Sequence, residues 1–208
     1  MNRTRLLACL VMGLMAAPAL AQEKKEKAAP KKGEPDMAKM MEAWQKYATP
    51  GEAHQVLKQL AGSWTCNVKM WMAPGAPAQE SPATEEAKMI MGDRYVHEAV
   101  KGTFNGMPFE GSGLMGYDNA KKKYIGAWID NMGTGIMTSE GTYDAAKKTF
   151  TMEAQGIDPM TGKTMKSRGI IRIESDTKLV HEMYSKGPGG KEFKMMEITY
   201  TRKGVASK

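Results

Sequence analysis

From Asp36 to Tyr47 the apolar side chains Met37, Met40, Met41 and Trp44 recur at i, i+3, i+4 and i+7, one face of a helix that Asp36 is placed to cap. A second start follows at once. Thr49 reads as its cap, Pro50 as its first turn and Glu52 as the partner in a capping box, with His54, Leu57 and Leu60 sharing a face that ends at Gly62. Beyond Gly62 the hydrophobic period drops from about 3.6 to about 2 and stays there. The alternation predicts ten strands, over 64–72, 84–91, 95–104, 107–117, 123–130, 136–143, 149–157, 164–174, 178–185 and 193–202. Links such as Met91-Gly92-Asp93, Asn105-Gly106, 158–162 and 187–190 are short. A parallel pair needs a crossover of about a dozen residues or more, so only antiparallel neighbours fit. The run Tyr117-Asp118-Asn119-Ala120-Lys121-Lys122 nearly recurs as Tyr143-Asp144-Ala145-Ala146-Lys147-Lys148, the same turn chemistry two strands later. An open sheet of this length would leave two bare edges, and closure removes both. The fold class expected is all-β, an up-and-down antiparallel barrel of about ten strands behind short N-terminal helices.

The first residues carry a different pattern. Arg3 and Arg5 precede the apolar run Leu6 to Met15, and Ala19-Leu20-Ala21 supplies the small residues of a cleavage site, so 1–21 reads as a secretory signal peptide. Cys9 follows only a short apolar stretch, which argues against lipid attachment. The domain plan is then a leader at 1–21, a charged flexible linker at 22–35, helices at 36–61 and a barrel at 62–203. No later stretch reaches the roughly 18 apolar residues that cross a bilayer. The expected destination is periplasmic or extracellular, with no integral membrane span. The formal charge of +7 includes Arg3 and Arg5 and the lysines of the tail, which Glu23, Glu26 and Glu34 interrupt. What remains on the domain is too weakly basic for a nucleic-acid surface. Once Cys9 is removed Cys66 stands alone, so no internal disulfide forms. Its alternation with Trp64 and Val68 places it in the core, as an inert thiol.

Gly62-Ser63-Trp64, just after a helix, and Thr199-Tyr200-Thr201-Arg202 at the last strand resemble the signature of lipocalin-like, or calycin, barrels. That resemblance implies that Trp64 and Arg202 stack at the closed end of the barrel, a structural role. A closer resemblance, to the bacterial domain of unknown function 1579, rests on several stretches. They are Pro50-Gly51-Glu52-Ala53-His54 with Leu57, Leu60 and Gly62-Ser63-Trp64; Met70-Trp71-Met72 with Pro74-Gly75; Gly116-Tyr117-Asp118-Asn119; Trp128 to Thr134; and Tyr200-Thr201-Arg202-Lys203. It spans about 50–203 and implies a fold but no reaction, and fold alone does not imply function.

Candidate chemistry is sparse. The three histidines, His54, His97 and His181, form no metal motif, and no paired cysteines or clustered aspartates occur, so no metal site is expected. An inward His97 or His181 could ligate haem, whereas a lone strand histidine is more often a hydrogen-bonded wall residue. Met is abundant at 20 residues, three of them, Met1, Met12 and Met15, in the leader. Thioethers bind Cu(I), yet pairs such as Met70 and Met72, or Met89 and Met91, follow strand alternation and read as adaptable filler of a core or cavity. Asp130, Asn131 and Thr134 sit at a strand link that could rim a cavity, although the same residues make ordinary hairpin hydrogen bonds. Arg168 falls opposite in parity to Ile171 and Ile173 and is expected outside. No nucleophile elbow or phosphate loop occurs, and no catalytic residue is assigned.

The expectation is an exported, non-enzymatic barrel holding a small apolar or amphipathic ligand, with no resident cofactor. Candidate ligand contacts are Tyr95, His97, Trp128, Asp130 and His181. The rival readings are a haem-binding or enzymatic barrel using an inward His with Asp130, Tyr95 or Glu182, and an envelope interaction module docking through the helix at 36–47. That helix is expected instead to cover a barrel end, because its Met and Trp stripe needs burial.

Overall fold

The computed structural model describes residues 36–159 and 161–204. The expected leader and linker lie outside them. Contacts separate residues 1–40 from 41–208, and of the first unit only 36–40, the opening of a helix, are described.

Among the described residues two helices precede the sheet, α1 (Met37–Ala48) and α2 (Glu52–Leu57). Asp36 caps the first, its Oδ1 accepting from the backbone N–H of Ala38 and Lys39. The second starts two residues later than the Thr49 reading places it. Thr49 closes α1 instead, its hydroxyl donating to the Gln45 carbonyl at 2.6 Å. Gly51 is the cap residue of α2, and its N–H donates to His54 Nδ1 at 3.0 Å. An imidazole thus does the work expected of Glu52.

Ten strands follow: β1 (Gly62–Met70), β2 (Gln79–Ile90), β3 (Tyr95–Phe104), β4 (Met107–Asp118), β5 (Lys123–Asp130), β6 (Met137–Asp144), β7 (Thr149–Ile157), β8 (Thr164–Ser175), β9 (Lys178–Lys186) and β10 (Glu192–Arg202). Each pairs with its sequence neighbours, and β1 also pairs with β10, Trp64 opposite Arg202, which closes the barrel. β2 begins five residues before its expected start and contains Pro82. Pro82 pairs with Asn67 of β1, while the β2–β3 ladder begins only at Ala83, so the missing N–H faces no third strand.

Turn chemistry sets the registers. Asn105 and Gly106 both have positive φ, 49° and 78°, the two-residue hairpin that matches strand twist. In the repeated runs Asp118 accepts from the N–H of Ala120 and Lys121, Asp144 accepts from that of Lys147, and Lys122 and Lys148 close each turn at positive φ. The repeat is therefore one turn used twice. It carries Tyr117 and Tyr143 into an edge-to-face cluster with Tyr124 and Phe150.

That cluster lies at the end covered by α2. His54 meets the Tyr117 ring edge-on, the Tyr124 hydroxyl donates to the Ala53 carbonyl, and Trp64 Nε1 donates to the Leu60 carbonyl. Arg202 lies 4.1 Å above the centre of the Trp64 ring and donates to the carbonyls of Ala61 and Asp176. This end is plugged by aromatic rings and one fully engaged guanidinium.

Candidate functional site in the barrel interior

Strand alternation decides what lies beyond that plug. On β2 the buried positions are Ala83, Glu85 and Ala87; on β3 Val96 is buried and Glu98 and Val100 share its side of the strand. Two carboxyl groups are thereby turned into the barrel from adjacent strands. The register sets Ala87 opposite Glu98 and Glu85 opposite Val100, a diagonal pair. Glu85 is 5% exposed. Burial raises its carboxyl to about 9, helped by the charge of Glu98, whose own carboxyl burial raises to about 7.

Beside Glu98, Trp128 of β5 lies over Gly111 and Gly113 of β4; a Cβ at Gly111 would collide with its ring, and one at Gly113 would crowd it at 3.2 Å. Glu98 shares this space, its Oε2 2.5 Å from the position a Gly113 Cβ would take. The two glycines are what let a carboxyl and an indole meet inside the wall. Asp130 holds the indole by accepting from Trp128 Nε1 at 2.9 Å. Tyr200 of β10, 9% exposed, sits close enough to both acids and to Cys66 for their charges to act with burial in raising its phenol. Burial also raises the Cys66 thiol to about 12, so it stays a thiol. On β9 the ring of His181 approaches Gly169 of β8, and burial lowers its imidazole to about 4, leaving it neutral.

No buried side-chain nitrogen or oxygen among the described residues is both sealed from water and without a hydrogen bond. The carboxyl oxygens of Glu85 and Glu98, the nitrogens of His181 and the Tyr200 hydroxyl make no hydrogen bond or ion pair. Their polar atoms therefore border space that water can enter. The barrel interior is a floor of aromatic rings beneath a middle zone of unpartnered polar groups and one half-buried indole.

Of the five candidate contacts, Trp128, Asp130 and His181 are on the inward side. Tyr95 and His97 are not, because the even-numbered residues of β3 face inward. Tyr95 lies on the outer surface against Gly116, and His97 is exposed with Nε2 2.9 Å from the Ser112 hydroxyl. A haem reading would consequently rest on His181. Asp130 and Asn131 are spent on the hairpin: Asp130 accepts from the Met132 N–H, and Asn131 bridges to the Glu110 N–H and Pro108 carbonyl. Glu182 also faces outward, bound to Arg172, Lys194 and Tyr184; the hydrogen bond from Arg172 leads in lowering its carboxyl to about 2. Arg168 is outside as expected, paired with Glu192 and stacked on Tyr184.

Glu85, Glu98 and Tyr200 were missing from the sequence candidates. The sequence signal for the two acids is faint: Ala87 alone marks the side of Glu85, and β3 carries apolar or small residues on both faces, so that the burial of Val96 is what places Glu98 inside. The helix expectation fails as well. No residue of α1 is buried, and Trp44 is 60% exposed. Met72 and Met91 are exposed too, since β1 ends at Met70 and β2 at Ile90, whereas Met115 and Met152 fill the core. A shallow cleft at the α1–α2 junction, lined by Glu42, Gln45, Lys46, Thr49, Pro50 and Gly51, holds no buried polar group.

A family model for proteins of unknown function, DUF1579, matches residues 49–202, from the foot of α1 to the last residue of β10. The chain belongs to the DUF1579 family. Within this DUF1579 barrel the matched span contains every residue of the interior site. No curated protein matches it in sequence. Among solved structures, Rv2717c from M. tuberculosis has a TM-score of 0.53 at 15% identity, covering 74% of this chain and 99% of its own. The S-type phycobiliprotein lyase CPES from Guillardia theta has a TM-score of 0.50 at 11% identity, covering 84% of this chain and all of its own. At such identities the likeness is one of fold.

Proposed function

We propose that this DUF1579 protein is an exported binding barrel whose interior holds a small amphipathic ligand. The observation that supports the reading is the set of unpartnered polar atoms on Glu85, Glu98, His181 and Tyr200, turned inward and bordering water-accessible space, with Glu98 beside the Trp128 ring. Water can satisfy such groups in the open barrel, whereas a filled apolar barrel would have to leave them unmade at about 1–3 kcal/mol each. Convergent polar groups in an apolar interior are the usual make-up of a small-molecule site. Export rests on the signal-peptide pattern of residues 1–21.

Titration with N-phenyl-1-naphthylamine, an apolar fluorophore, tests the reading. Saturable binding at one site is expected, with energy transfer from tryptophan that weakens in Trp128→Phe. Ala154 is on the inward side of β7, so Ala154→Phe should abolish the signal while leaving the far-ultraviolet spectrum of the barrel intact. Probe binding that survives Ala154→Phe, or no saturable binding, would refute the interior site. An absorption spectrum of the same protein from its native source addresses the other reading, since a Soret band would assign His181 to haem.

A further inference from the structure

We propose that the ligand is an amphipathic amine, its ammonium group held between Glu85 and Glu98 and its apolar body lying along Trp128. The inference rests on the binding reading above and adds the chemistry of the occupant.

The first ground is charge. Arg202 is the only cationic side chain on the inward side of the ten strands among the described residues, and its guanidinium is already committed to the Trp64 ring and the carbonyls of Ala61 and Asp176. The groups that face the two acids are the Cys66 thiol from β1 and the Tyr200 hydroxyl from β10, with neutral His181 as the other inward titratable group on β9. None of these is a counter-ion. A pair of buried carboxyl groups with no cation is either held protonated at a cost or completed by a cation from outside.

Tyr200 is more than nine-tenths buried, its hydroxyl has no partner, and it lies within reach of the charge of both carboxyls. A phenol oxygen there supplies a third acceptor for an N–H. Trp128 supplies the aromatic face beside Glu98, where a cation is attracted by the ring as well as by the carboxylate.

A metal ion fits poorly, since no group of three His, Cys, Asp or Glu side chains converges among the described residues. An anionic amphiphile would meet two acids. An ammonium group, with three N–H donors for Glu85, Glu98 and Tyr200, matches the acceptors in kind. Because burial holds Glu85 protonated at neutral pH and raises Glu98 to about 7, loading an ammonium ion between them draws protons off the pair.

Isothermal titration of the protein with decylammonium, decanol and decanoate at neutral pH, in buffers of different ionisation enthalpy, separates the possibilities. Decylammonium is expected to bind about tenfold or more tightly than decanol, with net proton release and with decanoate weakest. In the double variant Glu85→Gln, Glu98→Gln the amine preference should vanish while decanol still binds, near-ultraviolet dichroism reporting an intact barrel. Equal or tighter binding of decanol or decanoate by the native protein overturns the amine assignment and leaves the binding barrel standing. Binding of none of the three overturns both. The ranking on the native protein decides the matter even where the double variant does not fold.

Discussion

Arg202 shows how much one side chain can carry. It stacks on Trp64 and satisfies two carbonyls, one before β1 and one beyond β8, where the cylinder is joined. Arg202→Met keeps the apolar stem and removes every one of those contacts. A loss of about 2–4 kcal/mol is expected in urea unfolding. The interior acids act on stability in the opposite sense. With folded values near 7 for Glu98 and 9 for Glu85 against 4.5 for the free side chain, the folded chain binds more protons than the unfolded one across that window. Their contribution is therefore intact below about pH 4.5 and drains away as pH rises through the folded values. His181 works from the acid side: lowered from 6.5 to about 4, it costs stability as pH falls through that range. Glu85→Gln should be more stable than the native protein at pH 8 by about 2 kcal/mol and about equal at pH 4, as read from urea midpoints at the two pH values. Trp64 and Arg202 could be read from the sequence because both ends of the chain carry a recognisable pattern. Glu85 could not, since Thr84-Glu85-Glu86-Ala87-Lys88 offers only alanine to mark its inward side.

Elements are set by turns and by where glycine allows close approach. The hairpins at Asn105-Gly106 and after Asp118 and Asp144 were legible because each turn needs particular residues at particular φ. The boundary of α2 was not, because His54 caps it through its ring, which ordinary cap preferences do not anticipate. The outward turn of Tyr95 and His97 was equally hidden: β3 has apolar or small residues on both sides, and only the burial of Val96 settles its parity. Gly141 of β6 and Gly156 of β7 are indistinguishable as letters but differ in space. A Cβ at Gly141 would run into the Thr151 carbonyl and Met152, whereas at Gly156 nothing lies nearer than 3.7 Å. Gly141→Ala should cost about 2–4 kcal/mol, and Gly156→Ala should change stability by less than about 1 kcal/mol, in thermal or urea unfolding. Comparable losses at the two sites would contradict the packing described for the β6–β7 ladder.

At the scale of the molecule, short links limit ten strands to pairing with their neighbours, and the two edges an open sheet would expose account for the closure of β1 on β10. The contents of the cylinder were less legible, because they depend on side chains from β2, β3, β5, β9 and β10 that alternation brings together only after closure. Methionine abundance pointed to an apolar interior. The structure adds two acids, a phenol and a neutral imidazole to it. Whether this space is a ligand site is read from native mass spectrometry of the protein purified from its own cells. A retained organic adduct of a single small molecule bearing a basic nitrogen, lost on mild collisional activation, is expected. The bare chain mass, unchanged after incubation with excess decylammonium, would contradict it.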